Sequence, residues 1–215
     1  MIDRRERLAC ARLYLVCDAQ PGAFLTAALR GGVDVVQLRS KGLPDDQLVA
    51  TARRFAAACE SHRALFILND RPDLVSAAGA DGVHVGQDDA TVTDARECIG
   101  ARRILGLSTH TPGQIDAAQD AAVDYIGVGP VRETPTKPGR PAVGLELVRY
   151  AARRSRRPFF AIGGIATDNV AEVRRAGATR IAVVRALTEA SSPERVAREL
   201  RRALGPAGEV AVGCA

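Results

Sequence analysis

The chain has 215 residues, 47% of them apolar, with 30 basic against 25 acidic side chains and a net charge of +5. That size and apolar share fit one domain with a substantial core and argue against a disordered chain. The basic balance suits nucleic acid, a membrane or an anionic substrate, but aromatic residues make up only 4%, which leaves little for bases to stack on.

Five cysteines (Cys10, Cys17, Cys59, Cys98 and Cys214) form no Cys-x-x-Cys pair and no zinc spacing. An odd, scattered set suits structural thiols in a reducing compartment. The apolar stretch behind the charged N-terminus is broken by Arg12, which argues against a signal peptide, and no apolar run reaches the length of a membrane span. The expected location is the cytoplasm.

In chain order, residues 1–12 are charged and read as a leading segment. Residues 13–18 form the first short apolar run, punctuated by Pro21-Gly22. A helical stretch over 24–30 stops at Gly31-Gly32, and 34–39 is a second run rich in β-branched residues. The longest helical pattern covers 44–62, where Leu48, Thr51, Ala52, Phe55 and Cys59 recur at threes and fours. Runs three and four are 65–70 and 82–86, with a short helix over 72–78 between them. A helix over 91–99, capped by Thr93, leads to run five (104–109), a helix over 112–122 and run six (125–130). Residues 131–144 break the rhythm, because their prolines and glycines forbid a long helix or a central strand. A helix over 145–154, run seven (159–164), a helix over 168–176 capped by Thr167 or Asp168, and run eight (180–184) follow. Ser192-Pro193 before Glu194 starts the last helix, 192–204, and the Gly- and Ala-rich 205–215 reads as a frayed tail.

Eight apolar runs thus alternate with eight helical patterns. The runs are nearly continuous in Val, Ile and Leu, as strands buried on both faces are. Strict βα alternation allows an open doubly wound sheet or a closed barrel. Eight units favour a single (β/α)8 TIM barrel over 13–204, somewhat short of the about 250 residues typical of that fold. A doubly wound fold would usually offer Gly-x-Gly-x-x-Gly after its first strand, whereas Cys17-Asp18-Ala19-Gln20 stands there.

In a barrel the active site lies at the carboxyl ends of the strands, so the residues that close each run carry the functional reading. Run three ends in Asn69-Asp70 and run four in Gly86-Gln87-Asp88-Asp89. As neighbouring parallel strands they bring Asp70 and Asp89 together, a pair suited to one Mg2+ that shares phosphate oxygens with substrate. The plainer alternative is that each caps the following helix. Run two ends in Gln37, Arg39 and Lys41; Gln37 and Arg39 alternate with apolar neighbours and point the same way. Buried there, they serve a ligand or an ion pair, for instance Arg39 with Asp34. Ser108 closes run five as a donor to phosphate or as a local cap. His84, between Val83 and Val85, reads as a satisfied core residue. Thr134, Thr136 and Lys137, with Gly139 as a hinge, suit a phosphate-closing loop. Gly163-Gly164, ahead of a helix, offers backbone amides to a second anion, together with the end of run eight. One anion site suits a pyrophosphate and the other a monophosphate. No Ser–His–Asp or Cys–His arrangement is apparent. The pattern reads as transfer between two phosphorylated small molecules.

The ordered set QLRSK at 37–41, NDR at 69–71, DGVHVGQDD at 81–89, STH at 108–110, DYIGVGP at 124–130, TPTK at 134–137 and IGGI at 162–165 resembles the thiamine phosphate synthase family. Each piece is modest alone; the ordered set is specific. The resemblance implies a homodimeric (β/α)8 barrel that joins hydroxymethylpyrimidine pyrophosphate to hydroxyethylthiazole phosphate. It implies Mg2+ on Asp70 and Asp89. It implies that Gln37, Arg39, Lys41, Asn69, Ser108 and Lys137 hold the pyrimidine pyrophosphate, with Arg39, Lys41, Ser108 and Lys137 acting in catalysis. Thr134 and Thr136 then flank the thiazole, and Gly163, Gly164, Val184 and Arg185 take its phosphate. Pyrophosphate leaves first, and the thiazole nitrogen captures a pyrimidinyl cation. Arg132 and Arg185 depart from the family pattern, which more often has an apolar or aromatic residue and a Ser. A tautomerase-like barrel would need the thiazole phosphate site but not the acid pair or the Gln-Leu-Arg-x-Lys set. A ligand-binding protein without catalysis, and another phosphate-sugar barrel enzyme, are the further alternatives.

Overall fold

A computed structural model describes residues 3–134 and 141–205. Eight parallel strands close in sequence order, with β1 paired to both β2 and β8. They are β1 Leu13–Cys17, β2 Val35–Leu38, β3 Leu65–Asn69, β4 Gly82–Val85, β5 Ile104–Thr109, β6 Tyr125–Val128, β7 Phe159–Ile162 and β8 Ile181–Val183. The helices are α1 Arg4–Cys10, α2 Gly22–Arg30, α3 Asp45–Ser61, α4 Val75–Ala78, α5 Val92–Ile99, α6 Pro112–Asp120, α7 Gly144–Arg154, α8 Val170–Arg175, α9 Arg185–Thr188 and α10 Pro193–Ala203. The architecture is the expected single (β/α)8 barrel. Among the described residues no helix is long and apolar enough to cross a membrane.

Strand side chains alternate between two apolar layers, as the two-residue period requires. Leu13, Leu15, Val36, Leu38, Phe66 and Leu68 face the helices. Tyr14, Val16, Val35, Leu65, Ile67, Ile104, Tyr125, Phe160 and Ala182 fill the barrel. The helices answer the outer layer. α3 buries Leu48, Thr51, Ala52, Phe55 and Cys59, the stripe its sequence spacing predicts. Inside, Phe160 stands edge-on to Tyr14 and Tyr125, with ring centroids 5.2 and 5.6 Å apart.

Within the charged leading segment, Arg4–Cys10 form α1. Asp3 and Glu6 form a capping box on α1, and buried Leu8 packs into the barrel's inner cluster from below. Three acids just ahead of even-numbered strands tie this base together. Asp34 accepts from the Leu13 N–H (2.9 Å) and from Arg201; Asp81 accepts from the Phe66 N–H (3.0 Å) and Arg4 (2.8 Å). Asp124 accepts from the Leu105 N–H (2.8 Å), Arg5 and Arg96 (each 2.7 Å). Ahead of β8 the corresponding residue is Arg180, which donates to the Ala9 carbonyl (2.7 Å) and so holds α1. Asp34 therefore sits at the end opposite Arg39, and the alternative pairing of those two does not occur.

Asp124→Ala removes the shared partner of two guanidinium groups and a strand amide. We expect a loss of about 3 kcal/mol in denaturant unfolding, with the remote cavity unaltered; an unchanged midpoint would refute the clamp.

Two caps differ from expectation. α5 is capped by Thr91, whose side chain accepts from the Asp94 N–H, and not by Thr93. At α8 the N-cap is Asn169, and neither Thr167 nor Asp168 takes the role. The Asn169 side chain bonds backward instead, to the Ala166 N–H (3.0 Å) and the Gly164 carbonyl (2.9 Å). The segment 72–78 divides into a 3-10 turn, Pro72–Leu74, and α4. The four-residue α9 has no counterpart in the sequence reading.

Candidate active site

The carboxyl ends of the strands surround one cavity of about 470 Å³. It gathers residues from every side of the barrel: Gln37, Arg39 and Lys41 after β2; Asn69 and Asp70 after β3; His84 and Asp89 from β4 and beyond; Ser108 on β5; Thr134 after β6; Gly163 and Gly164 after β7; Val184 and Arg185 after β8. Thr136 and Lys137 lie outside the described residues.

Asp70 stands in a left-handed turn, φ +59°, which few residues other than Gly, Asn and Asp adopt. Its N–H donates to the His84 carbonyl (2.9 Å), which continues the β3–β4 ladder one step past the strand. Burial, and then the neighbouring Asp89 carboxylate, push the Asp70 carboxyl up to about 6, against the opposing influence of Asn69 and Lys41. The Lys41 Nζ lies 3.9 Å from Asp70 Oδ2. Asp89 accepts from the Gly86 N–H (2.8 Å), which turns its carboxylate back over β4. Neither acid caps a helix, so the plainer reading of the pair fails.

Two converging acids, one of them held against its preference for ionisation, fit a hard divalent cation. Among the described residues no three His, Cys, Asp or Glu side chains gather into a full metal cage.

Arg71, next in sequence, turns away and is held by Asp45 and Asp73. On the opposite wall Gly163 (φ +105°) and Gly164 (φ +64°) form a turn with no room for side chains. A Cβ on Gly163 would lie 2.5 Å from the Pro130 Cα, and one on Gly164 would lie 2.7 Å from the Arg132 Cβ. Arg132 ties this wall to α8 through Glu172 (2.6 Å). The exposed Arg185 opens α9, with Glu189 at 3.9 Å.

Under the acids a row of polar side chains, buried but for the half-buried His84, crosses the barrel. Gln37 Nε2 donates to Tyr14 Oη (2.6 Å), and the Tyr14 and Tyr125 hydroxyls lie 2.8 Å apart. Tyr125 Oη is 3.0 Å from His84 Nδ1, and His84 Nε2 is 2.9 Å from Ser108 Oγ. Burial drives both phenols far above their ordinary range, so they keep their protons. His84 is satisfied, as expected, but its partners open onto the cavity. Tyr14 and Tyr125 escaped the sequence reading because each lies within an apolar run. Their shared inward parity with Gln37 and His84 is the signal that reveals them.

A phosphate-handling (β/α)8 enzyme is the class that these features define: an acid pair with a lysine on one rim, a glycine turn on the other, and a roomy cavity of mixed polar and apolar lining between them. A sequence model of the family described as thiamine monophosphate synthase matches residues 13–187. Thiamine-phosphate synthases of Acidothermus cellulolyticus and Thermobifida fusca are 50% and 49% identical to the chain, over 94% and 93% of it and 99% and 95% of their own lengths. The solved thiamine phosphate pyrophosphorylase of Pyrococcus furiosus superposes with a TM-score of 0.84 at 31% identity, covering 93% of this chain and 96% of that one. The chain belongs to the thiamine monophosphate synthase family, and it is an enzyme of the transferase class.

Proposed function

We propose that this enzyme condenses 4-amino-2-methyl-5-hydroxymethylpyrimidine pyrophosphate with 4-methyl-5-hydroxyethylthiazole phosphate, giving thiamine phosphate and pyrophosphate. The observation that carries this reading is the pair Asp70 and Asp89 beside Lys41, facing the Gly163-Gly164 turn across one cavity. A leaving group with several negative charges fits the first rim, and a single phosphate fits the second. Asp70 and Asp89 would hold Mg2+, which when bound would neutralise charge on the departing pyrophosphate. Arg39, Lys41 and Lys137 add positive charge around it, and Gln37, Asn69 and Ser108 orient it. Thr134 and Thr136 flank the thiazole; Gly163, Gly164, Val184 and Arg185 hold its phosphate. In this reading pyrophosphate departs before the new bond forms, and the thiazole nitrogen captures the pyrimidinyl cation. The cavity's work is alignment and charge stabilisation. A homodimer in the cytoplasm completes the reading.

The test is incubation of the protein with both substrates and Mg2+, followed by detection of thiamine phosphate and pyrophosphate. Product is expected only when all three are present. Isomerisation of the thiazole phosphate by itself would favour a tautomerase-like reading instead.

The raised Asp70 carboxyl gives this metal role a pH signature. The folded protein binds that proton more tightly than the unfolded chain does. The stability it contributes is complete below the ordinary aspartate range and is lost as pH rises through about 6. Without metal, Asp70→Asn should therefore exceed the parent in melting temperature by a margin that widens from pH 4 to pH 7 and narrows when Mg2+ is added. Mg2+ affinity of the parent should rise over the same interval. A margin independent of pH and metal would count against the acid pair.

A further inference from the structure

With the amide nitrogen of Gln37 facing Tyr14, the row from Gln37 to Ser108 has one internally consistent direction. The Gln37 amide nitrogen has only hydrogens to give, so Tyr14 Oη accepts there. The one proton of Tyr14 then goes to its other partner, Tyr125 Oη. Tyr125 in turn gives its proton to His84 Nδ1. A ring nitrogen that accepts carries no hydrogen, so the neutral imidazole has its proton on Nε2, which donates to Ser108 Oγ. A doubly protonated ring would aim two donors at Tyr125 Oη and leave that hydroxyl's own proton without an acceptor among the described residues. With Oγ already accepting, the Ser108 proton is the one left over. Ser108 is 8% exposed, and the cavity is where that exposure lies.

We infer that this buried relay fixes His84 as its Nε2–H tautomer and so presents Ser108 as a hydrogen-bond donor to the anionic group bound in the cavity. Tyr14, Tyr125 and His84 are accordingly positioning residues: they act on the ligand through Ser108. The relay explains why two phenols and an amide are spent inside an otherwise apolar barrel. Undirected, a serine hydroxyl in contact with an imidazole can donate to the ring as readily as it accepts from it. The relay removes that choice, and the donor stands ready before an anion arrives. The inference that the anion is a pyrophosphate rests on the function proposed above; the tautomer and the direction do not.

Two measurements test it on the full-length protein. The first is 15N NMR of the histidine rings without ligand, with the His84 signals assigned by their loss in His84→Gln. The parent should show a protonated Nε2 and a bare Nδ1. Gln37→Glu places an acceptor-only group at the head of the row. It should reverse every donor and move the proton to Nδ1, with the melting temperature recording that the fold persists. A parent ring protonated on Nδ1, or a ring that Gln37→Glu leaves unchanged, would overturn the inference. The second is calorimetric titration with inorganic pyrophosphate and Mg2+. Tyr125→Phe, which alters no charge, should weaken binding about as much as Ser108→Ala, roughly tenfold, and the double variant should lose no more than either alone. Additive losses would mean that Tyr125 acts on something other than Ser108. If the parent does not bind pyrophosphate, the proposed substrate fails while the ring measurement still decides the relay.

Discussion

Replacing Asp70 by Asn should lower turnover by at least about a thousandfold and leave the barrel folded. The substitution keeps shape and removes charge. Asn tolerates the left-handed backbone at φ +59°, where Ala would add strain of about 1 kcal/mol. It abolishes a carboxylate whose ionisation burial and the neighbouring Asp89 oppose. Metal-free protein is thus expected to become more stable and less active in one step, the pattern of a site whose charges are arranged for chemistry and not for folding. Steady-state assay of pyrophosphate release, paired with thermal melts, separates the two effects. Turnover within tenfold of the parent would remove Asp70 from the mechanism.

The second large effect is expected at Gly106, in the packed interior of the barrel. This β5 residue faces the barrel interior, where a Cβ would lie 2.1 Å from Tyr125 Cζ and 2.4 Å from its hydroxyl. No rotamer change relieves that overlap, because the ring is buried between Tyr14, Phe160 and His84. Gly106→Ala forces the ring out and breaks its hydrogen bonds to Tyr14 and His84. Overpacking together with two orphaned buried polar groups should cost about 3–5 kcal/mol. In a chain of this size that lowers the melting temperature by about 10 °C or more. A melting temperature within 2–3 °C of the parent, at this rough scale, would show that the interior has more slack than its packing suggests.

The strands were legible because each is a nearly unbroken run of Val, Ile and Leu, and nothing else in a chain of this kind produces eight such runs between amphipathic stretches. α3 was legible down to its buried stripe for the same reason: seventeen residues give the helical period room to show. α9 was not, since four residues contain barely one turn and carry no period at all. α1 was passed over as charged, although Asp3 and Glu6 stand at the spacing of a capping box. In the cavity, acids and bases declared themselves by being out of place at strand ends. Tyr14 and Tyr125 did not, because a tyrosine in an apolar run looks like core until its register against Gln37 and His84 is known. The cap at α8 went wrong because Asn169 serves the glycine turn behind it instead of the helix ahead.

The acids at the lower rim give the molecule a division of labour. Asp34, Asp81 and Asp124 work as a hoop around the foot of the barrel, each staving one strand to the next and gripping arginines from beyond the sheet. With the foot held shut, the mouth is relieved of structural duty and can carry two like charges at close quarters without splaying. A chassis of that kind lets the rim loops be exchanged for others of different chemistry, provided the three lower carboxylates travel with the strands that they fasten.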